Sequence, residues 1–499
     1  MDSEPPAMTS FAFSVKGALS QETLEKFKKN FYAQEKNILA QNVCSRVDPF
    51  DVCLSRKPWR RPNMFSVKRH VCISFSDKIS YLKVKGRKTK KKPPVIEAEG
   101  KPITNQKSSG RCWLFAALNV IRLPFIKHFN LDDFEFSQGY LFFWDKIERC
   151  NFFLNNIVET AARNEPVDGR LTSFLLHDPT TDGGQWDMLV NLIKKHGLMP
   201  KKNFPETFSC ESSMRMNQIL KSKARYFTLR EYAKAIRDLI SKGGSDADVR
   251  SLIEEQMTNV YRVVGICLGI PNETFTWSYY DKNKAFHSVG PVTAQDFYEK
   301  QVKPLFDVDD KVCLVTDPRP SNQYGKVYTV DCLGNVVGGR KCIYNNQPVE
   351  LLLDLTAKSI SEGEAVWFGC EVSKRYAGKQ GIQDLKVHDF PLVFGVDIQV
   401  TLSKADRLLY GESAMSHAMV FTAVHKNEAG EVTKLRVENS WGEDRGEKGY
   451  LIMTSDWFKE FTFEVVVDKK YVPQEVLDVF NQEPIVLPAW DPMGTLARC

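Results

Sequence analysis

The sequence predicts an α+β protein of two lobes, one helical and one rich in strands, with a long, largely helical stretch between them. Three observations carry this expectation. Helix-forming runs crowd the chain from about Cys112 to His196, and charged helical runs over 225–242 and 246–264 are split by Gly243-Gly244. From about Glu364 onward, short apolar runs alternate with turns. The 499 residues allow about three domain-sized units or one large enzyme with insertions. A content of 42% apolar and 26% charged residues is ordinary for a globular protein.

Residues 20–42 read as an amphipathic helix through Leu24, Phe27, Phe31, Ile38 and Leu39, expected to pack on the outside of the catalytic unit. Ser20 suits its N-cap and Glu22 the positive first turn, although Thr23 at N3 leaves the capping box incomplete. A second helix runs from Cys112 to about Phe129. A third spans Phe136 to Leu154, and its Phe142, Phe143, Trp144, Phe152 and Phe153 read as core. The Asp182-Gly-Gly-Gln-Trp186 segment leads into a helix from Asp187 to His196, closed by Gly197 and Pro200. Strands follow near Ala365–Val372, Met419–Val424, Lys434–Glu438, Tyr450–Met453 and Glu464–Asp468. From Gln482 the chain carries Pro484, Pro488 and Pro492 with no helical period, so it reads as extended.

Chemistry concentrates in Gln106-Lys-Ser-Ser-Gly-Arg-Cys112-Trp113, where a polar loop meets a helix start. The positive end of a helix dipole favours the ionised thiol, which is the nucleophilic form, and an upstream amide can hold an oxyanion. The alternative is a buried structural cysteine. Far downstream, His417 opens an apolar strand, and Val437-Glu-Asn439-Ser-Trp441-Gly442 closes another. An imidazole can take the thiol proton and return it to a leaving amine, and an amide carbonyl can hold that imidazole in one tautomer. Trp441 would shield the Asn439–His417 hydrogen bond. Singly, His417 could be a satisfied core residue and Asn-Ser-Trp-Gly a turn. The order Gln, Cys, His, Asn is much harder to dismiss. No Cys-x-x-Cys or His-Glu-x-x-His spacing occurs, so neither a metal nor a cofactor is expected.

This order, with its flanking residues, resembles the papain-like cysteine peptidases and, within them, the bleomycin hydrolase branch. The resemblance runs through Gly100–Phe115, Phe134–Trp144, Asp182–Trp186, Gly363–Gly369, Gly411–His417, Glu438–Asp444 and Leu487–Gly494. It covers roughly residues 97–497, with a weaker match near Leu39–Arg56. It implies a papain-like two-lobed fold and a cysteine aminopeptidase acting on peptides and amide bonds such as the bleomycin carboxamide. In that reading Cys112, His417, Asn439 and Gln106 do the chemistry. Gly183 and Gly184 would pair with the substrate main chain. The C-terminal arm would lie in the cleft, its terminal carboxylate, here on Cys499, meeting the substrate's free α-ammonium. Family arms end near Leu496-Ala497, so Arg498 and Cys499 are candidates for self-trimming. Cys112 and His417 lie 305 residues apart, against roughly 130–150 in compact relatives, so a large insertion is expected, supplying helices and a hook for a homohexamer.

The expected organisation is an N-terminal helical extension (1–64), a basic insert without fixed structure (65–96) and a helical lobe with the nucleophile (97–210). A helical and hook insertion for oligomerisation (211–345), a β-rich lobe with His417 and Asn439 (346–481) and a C-terminal arm (482–499) complete it. From Arg56 to Lys92, fourteen Lys/Arg face the single Asp77. That local charge of +13 leaves −7 over the rest of a chain whose net charge is +6. The run Lys83–Lys92 would suit weak nucleic-acid binding, although a solvated, self-repelling loop is the favoured reading. Ser109 replaces the cysteine that secreted papain-like enzymes carry three residues before the nucleophile. Met1-Asp-Ser-Glu-Pro-Pro lacks the pattern of a secretory signal, and no apolar run approaches the ~20 residues of a membrane span. A cytoplasmic location follows as the expectation. The competing function classes are a papain-fold endopeptidase without a tail block and a nucleic-acid-binding or scaffold protein using the basic insert.

Overall fold

The computed structural model describes residues 33, 35–44, 100–223, 229–396 and 401–495. Helix α1 (Glu35–Cys44) overlaps the end of the expected N-terminal helix, whose earlier part lies outside the described residues, as does the basic insert. With the short helix Phe390–Phe394, α1 belongs to one compact unit, and all elements below belong to another.

The helical lobe opens with α2 (Cys112–His128), in which nearly every side chain is buried, so it runs through the core rather than along its surface. Helix α3 (Gln138–Ala162) extends beyond the expected Leu154; the Ser137 hydroxyl caps its start by accepting from the Tyr140 N–H. Helices α4 (Arg170–His177) and α5 (Trp186–His196) follow, then the short α6 (Phe208–Glu211) and α7 (Met214–Gln218). The two charged helices are α8 (Leu229–Ser241) and α9 (Asp246–Leu268), and α9 starts at a Ser245–Asp248 capping box. An antiparallel hairpin, β1 (Phe275–Tyr280) and β2 (Phe286–Val292), stands apart as a two-stranded sheet with mostly exposed side chains on β2.

The main sheet begins earlier in the chain than the expected Glu364. Strands β3 (Lys311–Val315), β4 (Lys326–Val330) and β5 (Tyr344–Asn346) already belong to it. Each is only three to five residues long among polar turns, too short for a period to declare itself. After helix α10 (Val349–Ser361) come β6 (Val366–Cys370), β7 (Tyr376–Ala377), β8 (Ile382–Gln383), β9 (His417–Lys426), β10 (Val432–Glu438), β11 (Tyr450–Thr454), β12 (Thr462–Asp468) and β13 (Ile485–Leu487). The spatial order is β13-β4-β5-β3-β12-β6-β9-β10-β11-β8-β7, among the described residues.

Strand β9 sits near the middle of this sheet, and its alternation divides the core. Ala418 and Val420 pack with Trp113, Ala116 and Val120 of α2, whereas Met419 and Phe421 pack with Leu352 and Leu355 of α10 and with Trp457 and Phe458. A sheet covered on both faces needs apolar residues at successive positions, which is why β9 reads as a continuous apolar run. Each large side chain so buried contributes about 1.5–3 kcal/mol. The consequence for function is positional: α2 lies against β9, and the first residues of both elements meet.

Candidate active site

Cys112 is the first residue of α2, after Arg111 with φ −89° and ψ 17° and no side-chain cap. A helix start leaves its first N–H groups without intrahelical partners, so donors and the dipole's positive end converge where the thiol sits. His417 opens β9, opposite Cys370 of β6. The N–H of the His417–Ala418 peptide donates to Cys112 Sγ at 3.3 Å, which brings the two residues to one point despite their separation in the chain. Both Cys112 and His417 are fully buried, at 0% exposure.

His417 Nε2 lies 2.9 Å from Asn439 Oδ1. Because Oδ1 only accepts, Nε2 carries the proton, and Nδ1 is the nitrogen left to exchange protons with a thiol. The Ser440 N–H also donates to Asn439 Oδ1 at 2.8 Å, fixing the amide's orientation. The Trp441 ring lies 4.6 Å from the imidazole, centroid to centroid, and covers the histidine–asparagine pair. Burial pushes the His417 pKa down to about 4, opposed by the hydrogen bond to Asn439.

Gln106 enters the site on a loop paired with the Asn439 turn. Its N–H donates to Ser440 O at 2.8 Å, the Gly442 N–H donates to Thr104 O at 3.0 Å, and Asn105 bridges Trp441. The Ser440 hydroxyl donates to Gln106 Oε1 at 2.7 Å, and Gln106 Nε2 donates to Ser109 O at 2.6 Å. With the carbonyl end held, the amide NH₂ is turned toward the Ser109–Cys112 turn and keeps a second hydrogen for a ligand. Gly442, at φ +78°, is required here: a Cβ would stand 2.6 Å from Asn105 Nδ2.

Gly183 and Gly184 are buried beside this turn. At Gly184 a Cβ would stand 2.6 Å from the Trp113 indole, so only glycine lets the backbone approach the residue after Cys112. Trp113 Nε1 donates to Asp182 O at 2.7 Å. Of the residues singled out in the sequence, Cys112, His417, Asn439, Gln106 and Trp441 are thus brought together, with Gly183 and Gly184 adjoining. Cys499 lies outside the described residues.

Four supporting residues, Ser440, Arg122, Glu438 and Asp182, had no role assigned from sequence. Ser440 orients Gln106. Arg122 of α2 pairs with Glu438 of β10 at 3.0 Å, both buried, and also donates to Gly100 O and Pro102 O. Asp182 accepts from Gly110 N at 3.3 Å. Only the positions of Glu438 and Ser440 beside Asn439, and of Asp182 beside the paired glycines, could have drawn notice. A small pocket lined by Trp186, Phe306, Lys311, Glu364 and Trp367 includes none of the candidate catalytic residues, so the site is located by its chemistry rather than by void volume. Among the described residues no group of His, Cys, Asp or Glu is arranged to hold a metal, the cysteines are free thiols, and no helix is long and apolar enough to cross a membrane.

The Peptidase C1-like family model matches residues 63–494. Bleomycin hydrolase of Mus musculus is 52% identical over 96% of this chain and 99% of its own length, and that of Homo sapiens is 50% identical over the same shares. Aminopeptidase C of Lactobacillus delbrueckii subsp. lactis is 40% identical over 81% of this chain and 88% of its own. A crystal structure of PepW from Lactobacillus rhamnosis superposes with a TM-score of 0.83 at 36% identity, covering 97% of this chain and 100% of that one. These likenesses span the helical lobe, the β-rich lobe and both motifs described above, and the chain belongs to the Peptidase C1-like family, in its bleomycin hydrolase branch.

Proposed function

We infer that this chain is a cysteine aminopeptidase that releases N-terminal residues from peptides and hydrolyses related amides, including the carboxamide of bleomycin. The observation that carries the reading is the Ala418 N–H at 3.3 Å from Cys112 Sγ, next to a His417–Asn439 hydrogen bond of 2.9 Å. It is supported by relatives named bleomycin hydrolase and aminopeptidase C. In the proposed reaction Cys112 gives its proton to His417, and the thiolate attacks the carbonyl carbon. Gln106 Nε2 and the Cys112 N–H receive the oxyanion. His417, oriented by Asn439, protonates the leaving amine, and water then hydrolyses the thioester.

The exopeptidase restriction is assigned to the C-terminal arm, whose terminal carboxylate would bind the α-ammonium of the substrate. Self-trimming of Arg498 and Cys499 belongs to the same proposal, and an active enzyme of intact mass would count against it. Assembly as a homohexamer through the 211–345 region is supported by a hairpin that stands outside the main sheet with exposed side chains. A cytoplasmic location is supported by the free thiols and by the absence of a cysteine at position 109. Weak nucleic-acid contact through Lys83–Lys92 is a separate proposal; it predicts salt-sensitive binding that survives Cys112→Ala.

The test is a peptide-ladder digest with free and N-acetylated peptides, with and without an alkylating agent. Stepwise loss of N-terminal residues from the free peptides alone, abolished by alkylation and by Cys112→Ala, is the expected result. Cleavage of acetylated peptides at internal bonds would instead identify an endopeptidase.

A further inference from the structure

Outside the candidate triad, the densest polar convergence near the nucleophile is on Asp182. Its Oδ1 accepts from Lys146 Nζ at 2.6 Å and from Asn217 Nδ2 at 2.8 Å, and its Oδ2 accepts from the Ser213 hydroxyl and from the Gly110 N–H at 3.3 Å. A carboxylate offers about four lone-pair sites, and all four are engaged. Lys146, whose side chain is fully buried, also donates to Thr180 O at 2.6 Å and Thr181 O at 3.2 Å, so the ammonium is saturated as well. Burial alone would push the Asp182 carboxyl up. Lys146, with the hydrogen bonds from Ser213 and Asn217, outweighs it and holds the group well below the usual carboxylate range.

The partners are more telling than their number. Gly110 lies two residues before Cys112 and is gripped by the side chain of Asp182. Trp113 lies one residue after and is gripped by its backbone carbonyl. Ser213 and Asn217 come from the region expected to serve assembly. Its neighbours brace the same turn: Ser108 N donates to Glu211 O at 2.9 Å, and Arg111 donates to both carboxylate oxygens of Glu206 at 3.0 and 2.7 Å.

We propose that Asp182 is a positioning residue, through which segment 206–217 and the Gly183-Gly184 edge hold the Gly110–Cys112 turn, and with it the oxyanion donors, in register. The proposal rests on the assignment of Cys112 as nucleophile. An amide at this position cannot accept four hydrogen bonds, because its NH₂ faces donors on one side. Asp182→Asn therefore displaces the turn, while the backbone carbonyl keeps its grip on Trp113 and the glycine edge. The effect should fall on kcat rather than KM.

The experiment compares wild type, Asp182→Asn, Ser213→Ala, Asn217→Ala and Cys112→Ser. Four quantities are measured: kcat and KM on a free peptide amide, the affinity of a peptide aldehyde, the rate of Cys112 alkylation by iodoacetamide, and Tm. The aldehyde forms a tetrahedral adduct that needs the oxyanion donors; alkylation does not. For Asp182→Asn, kcat and aldehyde affinity should fall together by about 10- to 100-fold, with KM and alkylation changed by less than about 3-fold. Ser213→Ala and Asn217→Ala should show the same pattern at several-fold, and they decide the matter if Asp182→Asn does not fold. Unchanged kcat and aldehyde affinity, or a parallel loss of alkylation and Tm, overturns the proposal. Turnover surviving in Cys112→Ser would sink the nucleophile assignment itself, whatever Asp182 does.

Discussion

His417 is held neutral by its surroundings, and this has consequences for both rate and stability. Replacing Asn439 with alanine removes the acceptor that fixes the imidazole, while the thiol and the Gln106 amide survive. We expect kcat/KM on a free peptide to fall by about 10- to 100-fold without reaching zero, measured by steady-state kinetics. For stability, the folded pKa of about 4 lies below the ~6.5 of an unfolded histidine. The contribution is fully present above pH 6.5 and is lost as pH falls toward 4, amounting to at most about 3 kcal/mol. Urea unfolding of Cys112→Ala against Cys112→Ala/His417→Asn between pH 4 and 7 checks this; the second variant should lose that part of the slope. The candidate catalytic residues were legible because each sits in a local pattern: a thiol at a helix start, an imidazole at a strand start, an amide in a glycine turn. Their supports were not. Ser440 reaches Gln106 across 334 residues, and Asp182 reaches Gly110 across 72. No local periodicity encodes a hydrogen bond between distant polar residues.

At the scale of elements, helix α2, which starts at Cys112, and strand β10, which ends beside Asn439, are joined by a buried ion pair, Arg122 with Glu438. Burial pushes the Glu438 carboxyl above its usual range, while Arg122 pulls it back. Removing one partner strands a charge in the core. Arg122→Met should therefore destabilise the fold by about 3–5 kcal/mol in urea unfolding, whereas in Glu438→Gln the guanidinium keeps the Gly100 and Pro102 carbonyls and gains an amide acceptor in place of the carboxylate, so the loss should be smaller. Equal losses in both variants would show that packing rather than charge is at stake. Elements were legible where a pattern ran long enough. Helix α2, helix α9 and strand β9 appear close to where the sequence places them. Strands β3 and β5 were missed because they are buried runs of five and three residues. Such runs draw their stability from neighbours in the sheet, here β12 for β3 and β3 with β4 for β5.

At the scale of the whole molecule, the proposed exopeptidase character depends on where the chain's end is anchored. Strand β13 adds parallel to β4 at the sheet edge, and Asp491 then accepts from both Nη atoms of Arg319 at 2.8 and 3.0 Å. Asp317 secures Arg319 from the other side, Trp490 lies 4.2 Å from the Arg170 guanidinium, and Met493 is buried. A bidentate pair of this kind fixes direction as well as position, so it sets the point from which the last residues depart. If the arm is what excludes longer substrates, loosening its root should relax that exclusion without touching the chemistry. Arg319→Met should gain cleavage of an N-acetylated peptide and still cleave the free peptide, at a raised KM because the carboxylate proposed to meet the α-ammonium is less firmly placed, with both rates followed by mass spectrometry. A chain ending at Thr495 is the matching control and should gain more, because the blocking residues are gone. Should the shortened chain still ignore acetylated peptides, the arm is not the block; should it cleave them while Arg319→Met does not, the ion pair is not what holds the arm in place.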